Sequence, residues 1–224
     1  MTMKVKEIVE RVRSAIDEQM ENDSEFLKQS TDEANLTAII IDKIRYALTY
    51  VIENAPEDKL DSSLMDTVEP DGEASGTVVA GQCVKVELPT DVLRVVSARL
   101  SSWPLSPVPV TEYSQEYLMQ QDPYAKGSWD RPVSAIVYDS GKRYIELYSA
   151  KTSSDTVKIT CIKQPEVGAA SELAADQEED VSVPARLEGA FIYQIAALTM
   201  VAFREDVASS LFTIAAQYLT SKQA

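Results

Sequence analysis

The spacing of apolar residues changes along the chain, helical at both ends and alternating in the middle, and this limits the folds available to it. Val5, Ile8, Val9, Val12, Ile16 and Met20 fall on one helical face, with charged residues opposite. Ser30-Thr31-Asp32-Glu33 announces a second helix, because a Ser-x-x-Glu spacing lets hydroxyl and carboxylate satisfy the first backbone N–H groups reciprocally. Its stripe is Leu36, Ile40, Ile44, Ala47, Leu48 and Val51, and Pro56 ends it. The first two helices read as an antiparallel pair. Near the other end, Val183-Pro184-Ala185 puts proline in a helical first turn. Leu187, Phe191, Ile195, Leu198 and Ala202 line that helix and Phe203 closes it. Ile192, Ala196 and Met200 make its other faces apolar, which predicts burial on most sides. After Arg204-Glu205-Asp206 a last helix carries Ala208, Leu211, Phe212, Ala215 and Leu219.

Between these ends the period is two. Val84, Val86 and Leu88 alternate with Lys85 and Glu87 until Pro89, and Asp91 to Leu100 reads as a second strand. Trp103 to Pro109 must be extended, since each proline fixes φ and biases its predecessor away from helix. Glu112 to Gln121 allows a short helix with Tyr113, Tyr117 and Leu118 on one side. The stretch Ser128 to Ala150 carries a hairpin signal: two aromatic-rich apolar runs joined by Asp139-Ser140-Gly141-Lys142. Gly141 is free to take positive φ, and Asp139 opens the turn, its side chain capping its own backbone. Val157, Ile159 and Cys161 form a last strand, ended by Pro165.

Strands grouped between helices argue an α+β fold and not an alternating parallel sheet. The economical arrangement is a four-helix bundle built from residues 1–55 and 184–224. An antiparallel β lobe, residues 83–165, is inserted into it. Residues 56–82 and 166–183 are acidic loops, the first with at most one short helix or strand.

The acidity is concentrated in those loops. Glu53 to Glu73 holds eight acids against one lysine, and Glu166 to Asp180 holds six acids and no base. Together they carry −13 of the formal charge of −15, leaving 22 acids and 20 bases elsewhere. The simpler reading of such loops is solvated segments that aid solubility; the sharper one is acidic surfaces that repel nucleic acid where DNA must pass. Tight DNA binding needs clustered Lys and Arg, which the sequence lacks. No apolar run reaches membrane-spanning length, and MTMKVKEIVERVRS lacks the apolar centre of a signal peptide. Cys83 and Cys161 read as buried packing residues of a reducing compartment.

The chain contains no histidine, which removes Ser-His-Asp and Cys-His chemistry and the commonest zinc ligand. Its seven glycines form no phosphate-cradling loop. Asp139, Glu146 and Lys142 could support carboxylate chemistry, and Asp176-Gln177-Glu178-Glu179-Asp180 could hold a hard cation. The simpler readings are a turn and a solvated loop. No catalytic residue, cofactor or metal site is assigned. Aromatics gather in the middle of the chain. Trp129, Arg131, Tyr138, Tyr144 and Tyr148 are the candidate interface residues, because Tyr, Trp and Arg favour interfaces.

One order of elements is specific enough to compare. A helix pair precedes a strand ending in VELP and then DVLRVVSARL. The hairpin has the form W-x-R-P-x-x-x-x-x-Y-D…RYIELY, followed by VKITCIKQP and the helix VPARLEGAFIYQIAALTMVAFRED. This resembles the head–tail connector (adaptor, or tail tubular A-type) proteins of short-tailed phages, and the ring proteins of crAss-like phages in particular. The resemblance spans most of the chain, best from Val84 to Leu219. It implies a dodecameric ring beneath the portal protein, with other tail and ring proteins as partners. It also implies double-stranded DNA passing through the channel without specific binding, no membrane, and a place in the virion neck after assembly in the bacterial cytoplasm. Residues 220–224 become a candidate portal contact. The alternative is a soluble acidic interaction protein such as a DNA mimic; a hydrolase using carboxylates and metal is a third reading.

Overall fold

The computed structural model describes residues 2–19, 30–68, 78, 81–175 and 178–220. Met20 and residues 221–224 lie outside the described residues, as do the side chains of Ser30 to Asn35 and with them the expected reciprocal cap. The fold is mixed α+β. It divides into two compact units, one made of Met1–Asp61 with Pro165–Ala224 and the other of Ser62–Gln164.

The first unit holds β1 (Thr2–Lys4), α1 (Val5–Gln19) and α2 (Ser30–Asn54), and later α4, β9, α5 and α6, whose ranges follow. In α1, Val5, Ile8, Val9, Val12 and Ile16 are all buried, as are Leu36, Ile40, Ile44, Ala47, Leu48 and Val51 in α2. The partner of both stripes is a helix near the C-terminus. A 3-10 turn at Ala185–Leu187 leads into that helix, α5 (Glu188–Met200), which packs against α1, α2 and α6 (Glu205–Thr220). An apolar helix with three helical neighbours keeps little surface for water, which is why α5 lacks a polar stripe. At Gly189 it comes close to α6: an added Cβ would lie 2.7 Å from the Tyr218 ring. Tyr193 stacks on the same ring, centroids 5.4 Å apart.

The helix ends earlier than its apolar pattern. Val201 and Phe203 are exposed in a turn, because the Arg204 N–H closes on the Met200 carbonyl and α6 begins at once. Glu205 and Asp206 then sit at the positive end of α6, favourable for its dipole. Thr199 is fully buried, and its hydroxyl lacks a hydrogen-bond partner among the described residues. Thr199→Val should therefore raise stability by about 1 kcal/mol, seen as a higher urea midpoint with unchanged slope. A loss of stability would show that the hydroxyl is bonded after all.

Two short strands revise the loop readings. β1 pairs antiparallel with β9 (Asp180–Ser182), Met3 facing Val181. Residues 166–183 are thus not loop alone: they contain α4 (Ala170–Ala175), whose Leu173 is buried, and β9. Residues 56–82 likewise hold more than one element, namely 3-10 turns at Glu57–Lys59 and Ser62–Leu64 and the strand β2 (Met65–Val68). Asp66 is tolerated in a strand because Lys163, 2.8 Å away, neutralises it.

The second unit is built from two sheets. The first has the order β2–β8–β4, with β4 Val92–Leu100 and β8 Val157–Lys163. The second has the order β3–β7–β6–β5, with β3 Val84–Glu87, β5 Val110–Thr111, β6 Val133–Asp139 and β7 Lys142–Tyr148. One apolar core takes Val84, Val86, Ile145 and Leu147 from the second sheet and Val95, Ala98, Ile159 and Cys161 from the first. In β4 the buried residues Val92, Val95 and Ala98 recur every third position, since register shifts interrupt the alternation. Arg143 donates to the carbonyls of Val92 and Leu93, tying β7 to β4.

The lobe is not wholly antiparallel: β5 runs parallel to β6. Trp103 to Pro109 carries the chain back before β5 begins, so β5 enters in the same direction as β6. The hairpin turn places both Ser140 (φ 52°) and Gly141 (φ 80°) in the left-handed region, the type I′ geometry that suits strand twist. Among the described residues no helix is long and apolar enough to cross a membrane.

Candidate interaction surfaces

The unit Ser62–Gln164 carries two chemically distinct surfaces. On the outer face of the second sheet, alternation lines up Lys142, Tyr144, Glu146 and Tyr148 on β7, beside Lys85 and Glu87 on β3. Lys85 Nζ lies 2.9 Å from Asp139 Oδ2 and 4.4 Å from the centroid of the Tyr144 ring. Lys142 pairs with Glu87 at 2.8 Å. Asp139 therefore ends β6 as an ion-pair partner; its side chain makes bonds to Lys85 and Ser140, in place of the expected cap on its own backbone. Its carboxyl is held below the usual range, first by the Lys85 hydrogen bond.

Further along this face, Tyr148 Oη donates to Glu146 Oε2 at 2.5 Å. Burial, then this bond to a carboxylate, pushes the Tyr148 hydroxyl well above its usual pKa. Tyr117 lies alongside, raised mainly by burial, on the short helix α3 (Gln115–Leu118). Tyr117 is the one residue of its expected trio that is half-buried; Tyr113 and Leu118 are exposed. Cys83 joins this group. It sits just before β3 and is exposed as a residue, not buried as expected, because the strand starts one position later. Its thiol nevertheless packs beside Tyr148 and Glu146. Partial burial and the Glu146 charge push its pKa up to about 11. A thiol so held stays protonated at neutral pH and is a poor nucleophile. Cys161 is buried in the core.

The second surface is a solvent-open cleft of about 770 Å³, lined by Tyr124, Lys126, Trp129 and Arg131 among others. The loop after α3 builds one wall. Ser114 caps α3 through the Tyr117 N–H, and Gln120 Oε1 accepts from Gly127 N–H at 2.7 Å. A Cβ on Gly127 would meet Val133, the Arg131 carbonyl and Gln120 at 3.1–3.2 Å, so the chain passes tightly here. Ser128 and Arg131 then exchange both backbone hydrogen bonds, turning Trp129 and Asp130 outwards. The opposite wall is Ser149 and Ala150, held by Ser149 Oγ donating to the Gly127 carbonyl and by Trp103 Nε1 donating to the Ser149 carbonyl. Lys151 places its ammonium 4.1 Å from the centroid of the Trp129 ring.

The five residues singled out by composition are thus dispersed. Trp129 and Arg131 share the cleft, while Tyr144 and Tyr148 lie on the outer sheet face. Tyr138 pairs with Arg143 on the other face of the sheet, where it is exposed near the hairpin tip. Lys126 and Lys151, which complete the cleft's positive character, were not anticipated; their proximity to Trp129 depends on loops with no periodic signal. Tyr113 and Leu118, expected on one side of a short helix, are exposed, as are Met119 and Tyr124. Among the described residues no group of three or more Cys, Asp or Glu side chains is placed to hold a metal ion. Comparison with protein-family models and with curated proteins found no match.

Proposed function

We propose that the protein is a structural subunit of a closed ring, a head–tail connector between portal and tail that extends the DNA channel of a short-tailed phage. The observation that carries this reading is the density of large apolar side chains left in water. Leu105, Val108, Tyr113, Leu118, Met119, Tyr124, Trp129 and Tyr138 are all exposed within one stretch of the second unit. Apolar exposure this dense along one segment marks surface that a partner covers. Tyr46 and Tyr50 on α2, and Val201 and Phe203 after α5, are a separate exposed set on the first unit. A cyclic ring needs two different faces on each subunit, and two unlike exposed sets supply them.

In this reading residues 1–55 and 184–224 act as a four-helix bundle and residues 83–165 as the inserted lobe. The portal above and other tail proteins below are the remaining partners, in the neck of the virion. A DNA mimic would instead present unpaired carboxylates on rigid structure. On the outer sheet face Glu87 and Asp139 are each neutralised by a lysine, which favours the ring.

The test is native mass spectrometry and electron microscopy of the purified full chain, alone and mixed with its portal protein. A closed dodecameric ring, formed alone or on the portal, is the expected result. A chain that remains monomeric at every concentration, with and without portal, would end the proposal.

A further inference from the structure

We propose that the Trp129 cleft receives the acidic end of α2 from a second copy of the chain; this rests on the ring reading and names its subunit contact. The cleft is cationic on a strongly anionic protein. Lys126 and Arg131 line it, and Lys151 lies over Trp129. Its one acidic lining residue is Asp130, which accepts a hydrogen bond from the Ser128 hydroxyl. The side chains of Lys126 and Arg131 form no hydrogen bond or ion pair among the described residues, in a chain of net charge −15. Arg131 acts electrostatically on Asp130, and one carboxylate among three cations leaves the cleft positive. An aromatic floor under net positive charge suits a partner that brings carboxylates and an aromatic ring.

The end of α2 has that composition. Tyr46, Tyr50 and Glu53 follow one another on one helical face, and both tyrosines are exposed. Asp58 and Asp61 follow directly, and the last turn of α2 holds no basic residue. Two lysines lie near this surface and neither offsets these acids: Lys59 is buried, its ammonium donating to the Tyr218 carbonyl, and Lys43, over the Tyr46 ring, is paired with Asp42. Arg186 reaches this segment through the Asp58 carbonyl and leaves the Asp58 carboxylate without that bond. The helix dipole adds partial negative charge at the same end. Acid and ring on one surface, base and ring on another, make a contact of two unlike faces, which propagates from copy to copy and can close.

Two full-length variants test the pairing. One reverses the cleft, Lys126→Glu with Arg131→Glu, and the other reverses the helix end, Glu53→Lys with Asp58→Lys. All four residues are at the surface, and thermal unfolding of each variant confirms its fold. Each variant alone should need at least roughly tenfold more protein to assemble than the unmodified chain. An equimolar mixture should assemble at close to the unmodified concentration, because each variant then meets its complement on the other. Cleft-reversed protein that assembles normally overturns the pairing while leaving the ring intact, and so does a mixture that fails to recover. An unmodified chain that never self-associates overturns the ring reading itself, and this contact with it.

Discussion

Phe191→Ala is expected to cost the first unit about 3–5 kcal/mol, a large part of the stability of an ordinary domain. Phe191 is fully buried on α5, the helix that touches α1, α2 and α6. Truncating the ring removes its transfer free energy and leaves a cavity that three packed helices cannot all close on at once. Ile195 and Ala196, also fully buried, hold the neighbouring turn in place and limit relaxation further. Val201→Ala, in the exposed turn just beyond the helix, should stay within about 0.5 kcal/mol. Urea unfolding followed by far-ultraviolet circular dichroism compares the two. A Phe191→Ala loss no larger than that of Val201→Ala would remove α5 from the centre of the packing.

Helices with stripes were readable because burial repeats locally. Every apolar position of α1 and α2 that the period selects among the described residues is buried, since 3.6-residue spacing decides which face meets a neighbour. The hairpin was readable for a similar reason: two alternating runs and a Ser-Gly turn specify register without distant information. What escaped is pairing between remote residues. Met3 meets Val181 through strands of three residues, too short to show a period. β2 hid in an acidic stretch because Asp66 reads as loop until Lys163 is placed beside it. The same limit governs the cleft. Trp129 and Arg131 stand out by residue type, yet Lys151 arrives from 22 positions away on a loop whose shape the residue pattern does not reveal.

That loop depends on one carboxylate, and Asp155→Ala should cost the second unit about 2–4 kcal/mol. Asp155 is buried. It accepts from Ser102 Oγ at 2.7 Å, from the N–H groups of Lys151 and Thr152 at 2.9 and 3.1 Å, and from Thr152 Oγ1 at 3.0 Å. Alanine strands two backbone donors and two hydroxyls together, each worth about 1–3 kcal/mol when buried, less what water recovers. Asp155→Asn keeps an acceptor and loses the charge, so its cost should be roughly half. Burial alone would raise the Asp155 pKa, but the donors from Thr152, Ser102 and Lys151 outweigh it and hold the folded value below the ordinary one. Its contribution is therefore complete above the unfolded pKa, near about 4, and is lost as pH falls through the folded value. The stability gap between unmodified protein and Asp155→Asn should be widest near neutrality and shrink below about pH 4. A gap that stays constant down to about pH 2 would mean the charge is not what the donors hold. Because Lys151 is one of those donors, Asp155→Ala should also release the ammonium from Trp129. The intrinsic fluorescence of the folded variant would then shift, a readout that loss of stability alone does not produce.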